Sequence, residues 1–283
     1  MARVAIVTDS AADLMPEVAA AAGITVVPLA VTFGSESFRA GVDLSTDAFW
    51  ERMLAPSAPF PTTAAASPGD FRDAFEARLV DGADAVVCIA ISGRLSGTLK
   101  SAAIARDMLP EREIHVVDSR TASMGHGLLA LMAAGMADEG RTGTDIAAEV
   151  EARIPDVDLF VALDTLEYMR RGGRLSATQA AIGSLLSVKP IVTVRDGLVE
   201  PLERVRTRSK ARERVLALLT ERPAERVAIL YTPPADHRSF RQDVIARMTG
   251  GIEPEDVSVQ PVGPSVGPHL GPGCLGGVVL LRR

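Results

Sequence analysis

Cysteine is nearly absent from this chain. Only Cys88 and Cys274 occur in 283 residues, far apart and without redox or metal spacing. No disulfide scaffold is therefore expected, and both thiols read as buried and inert. Histidine is as sparse: His115, His126, His237 and His269 are scattered with no carboxylate or thiol at ligand spacing, so no metal centre is expected. Positive charge is in deficit. A formal net charge of -6 and a pI near 5.4 give nucleic acids and anionic membranes no whole-molecule field to follow. Long apolar helices are missing too, since "MGHGLLALMAAGMA" falls short of the ~18 residues a membrane span needs. The apolar run before Asp9 is too short for a signal peptide, so a cytoplasmic location is expected.

What the chain does have is an alternation. Hydrophobic residues make up 47% and charged residues 23%, enough at this length for one large core or two modest ones. The runs "RVAIVT" (3–8), "ITVVPLAV" (24–31), "AVVCIAI" (85–91) and "EIHVVD" (113–118) are separated by helical patterns near 14–22, 46–54, after Pro68, from 97 and from 122. Strands apolar throughout and alternating with helices predict a parallel sheet covered on both faces, a Rossmann-like α/β unit. After Pro155 the texture changes. "DVDLFVAL" (156–163) leads to an Arg/Gly-rich turn, a small-residue helix near 177–186, and two strand-like runs flanking Asp196-Gly197, a hairpin signal. Helices at 209–220 and 236–248 then alternate with "RVAILYT" (226–232), "DVSVQPV" and a terminal "GGVVLLR". The expected architecture is two α/β domains, 1–155 with the parallel sheet and 156–283 with a mixed one, the terminal strand able to join either sheet.

In open α/β sheets ligands bind beyond the carboxyl ends of the strands. Here those ends read "TDSAADL", "ISGRLSGT" and "VVDSRTASMGHG", joined by the long segment "APSAPFPTTAAASPGDF", all rich in Ser, Thr, Asp and Gly. Helix capping explains one hydroxyl per helix, but these loops offer several. Converging on one sheet edge, hydroxyls, free N–H groups and helix N-termini suit an anion, a carboxylate or a phosphate. A serine-hydrolase elbow is not spelled: in Gly93-Arg94-Leu95-Ser96-Gly97 the serine stands one place too late for G-x-S-x-G. His269 remains a formal candidate base for Ser96, so a serine-dependent acyl hydrolase or acyltransferase is the alternative reading. No dinucleotide or P-loop fingerprint occurs.

At these residues the chain resembles the DegV family, the fatty-acid-binding proteins that form the lipid-carrying subunit of bacterial fatty acid kinase. The likeness runs in order through "VTDSAADL", "PTTAAASPGDF", "ISGRLSGTLKSA", "VVDSRTASMGHG", "LEYMRRGGRLS", "SLLSVKPIV", "RVRTRSKA" and "GPSVGPHLGPGCLG". It implies a non-enzymatic two-domain α/β protein with a long-chain fatty acid, palmitate or an unsaturated equivalent, in an apolar tunnel. The carboxylate would sit at the domain junction, where the catalytic subunit of a fatty acid kinase converts it to an acyl phosphate. No other cofactor is implied. Thr63 and Ser96 resemble the family's carboxylate-gripping hydroxyls, with the N–H of Gly97 beside them. Such a grip is charge-assisted without an ion pair, so the anion stays reactive. His269 resembles the family's histidine near the head group, and Arg171 or Arg174 its nearby arginine; Asp9, Ser10, Ser119 and Ser123 are further candidates for the junction lining.

Two departures stand out. Thr62-Thr63-Ala64-Ala65-Ala66-Ser67 replaces the family's T-T-S-Q-P-S, which predicts a less rigid loop, and Gly93 stands where a second serine is common. Finally, "ERVRTRSKARER" (203–214) sets five arginines and a lysine against two glutamates. Arg204, Arg206 and Arg208 would share one strand face, and the resemblance makes them a docking patch for the kinase.

Overall fold

The computed structural model describes residues 3–175, 188–248 and 252–283. The small-residue helix expected near 177–186, and residues 249–251 of the "TGGIEPED" turn, lie outside them. Four parallel strands, β1 (Val4–Asp9), β2 (Thr25–Val27), β6 (Ala85–Ala90) and β7 (Glu113–Asp118), form one sheet in the order β2-β1-β6-β7. β6 is buried at every residue because helices cover both its faces. Ala85, Val87 and Ile89 meet Leu129 and Ala130 of α5 (Met124–Asp138) and Ile146 of α6 (Gly143–Arg153). Val86 and Cys88 point the other way, onto Phe71 and Phe75 of α3 (Pro68–Val80) and Ala102 and Ala105 of α4 (Thr98–Asp107). That is the period-two alternation of a strand, with both faces apolar.

"ITVVPLAV" is not one strand. Pro28 has no N–H for a sheet ladder, so the run breaks into β2 and β3 (Ala30–Phe33). β3 leaves the parallel sheet and pairs antiparallel with β4 (Glu36–Arg39) and β5 (Thr62–Ala64). Between them α1 (Pro16–Ala21) follows β1, and α2 (Thr46–Leu54) starts on a Ser45 side-chain cap.

The chain reaches its second sheet through a turn at Ile154–Asp156. Buried Arg153 braces that passage, donating to Asp156, to Glu225 and to the carbonyl of Leu281. The sheet is mixed, in the order β10-β9-β8-β13-β11-β12, from β8 (Val157–Ala162), β9 (Lys189–Arg195), β10 (Leu198–Val205), β11 (Ala224–Tyr231), β12 (Val257–Pro261) and β13 (Leu275–Leu281). β9 and β10 form the expected hairpin, with Asp196 and Gly197 at φ 46° and 77° as a two-residue primed turn requires. The terminal strand joins this sheet only, antiparallel to both β8 and β11. Helices α7 (Glu167–Arg171), α8 (Arg208–Leu219), α9 (His237–Arg247) and α10 (Gly267–Leu270) complete the described elements. α5 is buried along most of its length because the sheets share it: Leu129 and Ala130 pack on the first sheet, Met124 and Leu128 on the second. Among the described residues no helix is long and apolar enough to cross a membrane.

Candidate functional site

A cavity opens beside the start of α5, between the ends of β1 and β6 and the face of the second sheet. Its apolar wall is built by Leu159, Val161, Val192, Val194 and Leu230, and its polar lining by Thr63, Ser96, Ser123, Arg174, Thr193, Ser265 and His269. The wall follows from strand alternation, which presents one apolar face of β8, β9 and β11 to the first lobe.

Thr63 is a strand residue rather than a loop residue. β5 pairs it with Val31, Ala66 is buried beside Phe71, and Ser67 with Asp70 forms a full capping box on α3. Backbone pairing to β3 and the cap on α3 anchor this segment at both ends without the missing side chains. Thr63 Oγ1 and His269 Nε2 share a hydrogen bond of 3.0 Å. His269 is wedged, since a Cβ at Gly172 would overlap its Nδ1, and that nitrogen has no partner among the described residues. Burial first, and then the charge of Arg174, push the imidazole down to about 4. It is neutral at pH 7.

Ser96 follows β6 in a turn closed by Leu95 and Ser96 N–H bonds to the Ser92 carbonyl. Its hydroxyl pairs with Thr98 Oγ1 at 2.8 Å and accepts from Thr98 N–H. Gly97 stands at the N-cap of α4, exposed, and its N–H meets no protein acceptor among the described residues. A Cβ at Gly93 would come within 2.6 Å of Leu99 Cδ2, a contact that rotation of the leucine side chain relieves. The hairpin tip rests on this turn, Ser92 Oγ donating to the Gly197 carbonyl and Arg94 to that of Asp196.

The two candidate arginines separate cleanly. Arg174 lines the cavity, with Nε on the Leu95 carbonyl and Nη1 on that of Gly172. Arg171 is exposed and stacks 3.9 Å over the Phe60 ring, outside the cavity. Of the four junction candidates, only Ser123 lines the cavity. It occupies the N-cap position of α5 without a side-chain cap bond, and instead donates to buried Asp13. Asp9 ties β1 to β6 by accepting from Ala11 and Ile91 N–H, Ser10 bridges Leu29 N–H and Ser265 behind the wall, and Ser119 bonds within its own turn to Thr121. Those three side chains are consumed by backbone groups and neighbours.

Arg204, Arg206 and Arg208 do not share a strand face. β10 ends at Val205, Thr207 caps α8, and Arg208 is the first residue of that helix. Arg208 pairs with Asp164 and Arg212 with Asp243, which offsets two of the segment's four excess charges, while Arg214 pairs with Glu203 inside it. Arg204 and Arg206 remain exposed. Sequence reasoning missed Asp13, Ser265 and Met169. For Asp13 the signal was its place in "TDSAADL", four residues beyond the Asp9 already singled out.

The sequence and the fold match a known group. The sequence profile described as "Uncharacterised protein, DegV family" covers residues 3–282. The chain belongs to the DegV family. It is 36% identical over 280 residues to a DegV domain-containing protein of Caldanaerobacter subterraneus, covering 98% of each chain. It is 33% identical to Protein DegV of Bacillus subtilis, over 96% of this chain and 97% of that one. Among solved DegV structures, a fatty-acid-binding family member from Thermus thermophilus superposes with a TM-score of 0.88 at 33% identity, covering 99% of this chain and 100% of that one. DegV of Bacillus subtilis, described as a fatty acid binding protein, gives 0.87 at 32% identity with complete coverage of both chains.

The buried imidazole makes a stability prediction. Because the folded state holds His269 below its ordinary value, the unfolded chain binds a proton first as pH falls from about 6.5 to about 4. Its contribution is present above that window and is lost through it, on the order of 3 kcal/mol at full protonation. Urea denaturation across the window should show His269→Gln losing less stability than the unmodified chain. Buried Asp13, held up at about 7, contributes with the opposite sign and cancels in that comparison.

Proposed function

We propose that this chain binds a long-chain fatty acid and presents it to the catalytic subunit of a fatty acid kinase, in the cytoplasm. The acyl chain lies along the sheet wall. The carboxylate accepts from Thr63 Oγ1, Ser96 Oγ and the Gly97 N–H. The observation that carries this reading is one cavity joining an apolar wall to two hydroxyls and a histidine held neutral, with Gly97 at the start of α4 next to Ser96 in sequence. An anion held by neutral donors keeps a nucleophilic oxygen, which attacks the γ-phosphorus of ATP on the partner and releases ADP, leaving an acyl phosphate. His269 sets the Thr63 hydroxyl, and Arg174 fixes the loop carrying Ser96 through the Leu95 carbonyl. Exposed Arg204 and Arg206 offer an acidic partner surface a place to dock.

The acyl hydrolase alternative needs Ser96 against a base. His269 is hydrogen-bonded to Thr63, and Ser96 to Thr98, so no nucleophile–base pair is formed. Incubation with a chromogenic acyl ester discriminates the two. The carrier reading expects no turnover that Ser96→Ala abolishes, and Ser96-dependent turnover would overturn it.

A further inference from the structure

Asp13 lies in the left-handed region at φ 52° and is 6% exposed. It is tied to two segments that line the lipid cavity. One oxygen accepts from Ser123 Oγ at the start of α5, and Ser123 lines that cavity. The other accepts at 2.8 Å from the N–H of Gly263, where the loop begins that carries Ser265, Val266 and His269 into the same cavity. A single carboxyl thus sets the relative position of two walls of the site.

We infer that Asp13 is a positioning residue of the proposed lipid site and gains a proton when the ligand carboxylate arrives, freeing the Ser123 hydroxyl to donate into the cavity. This rests on the fatty-acid reading above. While Asp13 is ionised it can only accept, so the Ser123 proton is spent on it. Once protonated, Asp13 donates to Ser123 Oγ, and the Ser123 proton turns to the incoming carboxylate. The site gains a third hydroxyl donor at the moment it is needed.

Burial holds Asp13 at about 7, so both forms are populated near neutrality. A second negative charge on the far side of Ser123 disfavours the ionised form. The groups facing Asp13 do not prevent this. Asp9 at the end of β1 reinforces it, and His126 on α5 opposes it. Glu17 of α1 and Asp47 of α2 line a second cavity of ≈ 480 Å³ on which Asp13 also opens, and no lysine, arginine or histidine is in that lining. That opening supplies the proton from solvent without unpacking the lipid site. His269 faces the ligand from α10 and titrates far lower, so its effect falls on the acid side.

Calorimetric titration of palmitate, carried on cyclodextrin, in two buffers of different ionisation heat counts protons taken up on binding. The unmodified chain should take up a fraction of a proton near neutrality and bind about tenfold more weakly at roughly pH 8.5 than at roughly pH 6. Asp13→Asn should bind with a flat profile over that range and take up none. Ser123→Ala keeps the carboxyl but removes a bond that favours its ionised form, so the midpoint of the profile should move to higher pH. Palmitate binding without proton uptake in the unmodified chain, an unchanged profile in Asp13→Asn, or an unmoved midpoint in Ser123→Ala overturns the inference and leaves the lipid reading standing. No palmitate binding at any pH overturns both.

Discussion

Thr63→Val combined with Ser96→Ala should weaken palmitate binding by at least about a hundredfold while leaving the melting temperature within a few degrees. Hydrogen bonds to a charged group contribute about 1.5–3 kcal/mol each, and two of them removed together exceed the ~2.8 kcal/mol that a hundredfold represents. Valine matches threonine in shape, so the β5–β3 ladder, which pairs Thr63 with Val31, is kept. Three bonds are lost in the empty protein: His269 Nε2 loses its hydroxyl, and Thr98 loses Ser96 Oγ as the partner of both its N–H and its Oγ1. Thr63 and Ser96 both line the cavity, and Gly97 beside Ser96 is exposed. Thr63→Ser, which retains the hydroxyl, separates donor loss from packing and should bind within about threefold of the unmodified chain. Equal binding by the double variant would mean that the carboxylate lies elsewhere.

Gly276→Ala should destabilise the whole chain by about 3 kcal/mol or more, lowering the melting temperature on the order of 10 °C. β13 runs through the middle of the second sheet, with Gly276 opposite Val161 of β8 and Leu230 of β11. A Cβ on Gly276 would overlap the Phe160 carbonyl oxygen and lie 2.6 Å from the Val161 Cα. These are backbone atoms, so relief requires β8 and β13 to move apart at the cost of their ladder. Val161 and Leu230 are part of the cavity wall, and the damage therefore reaches the candidate site. Thermal unfolding followed by circular dichroism measures the loss; a change below about 1 kcal/mol would show that the strands yield more easily than close packing implies.

In the first sheet β1 and β6 were legible as apolar runs, a pattern that burial on two faces demands, while the edge strand β7 was legible from Ile114, Val116 and Val117 among polar residues. β5 was not. Thr62-Thr63-Ala64 carries no apolar signal, and its strand character comes from β3, some thirty residues earlier in the chain. α6 was not legible as a separate helix, although Thr142 and Asp145 mark its start, because it follows α5 so closely in the chain. The site was legible in its hydroxyls and not in its partners. Arg171 and Arg174 look alike in "RRGGR", and the choice between them is made by Gly173, whose φ of 69° reverses the chain and turns Arg174 inward. The Ser123–Asp13 bond spans 110 residues, and no local pattern announces a contact of that range. Basic residues 203–214 misled for a related reason, since their counter-ions Asp164 and Asp243 lie outside the segment.

The most direct measurement of the central claim is a native mass spectrum of the protein purified from a bacterial host. The carrier reading predicts an adduct of free-fatty-acid mass, lost on denaturation and much reduced in Thr63→Ala. Protein that emerges ligand-free, and stays so after incubation with palmitate, would contradict it.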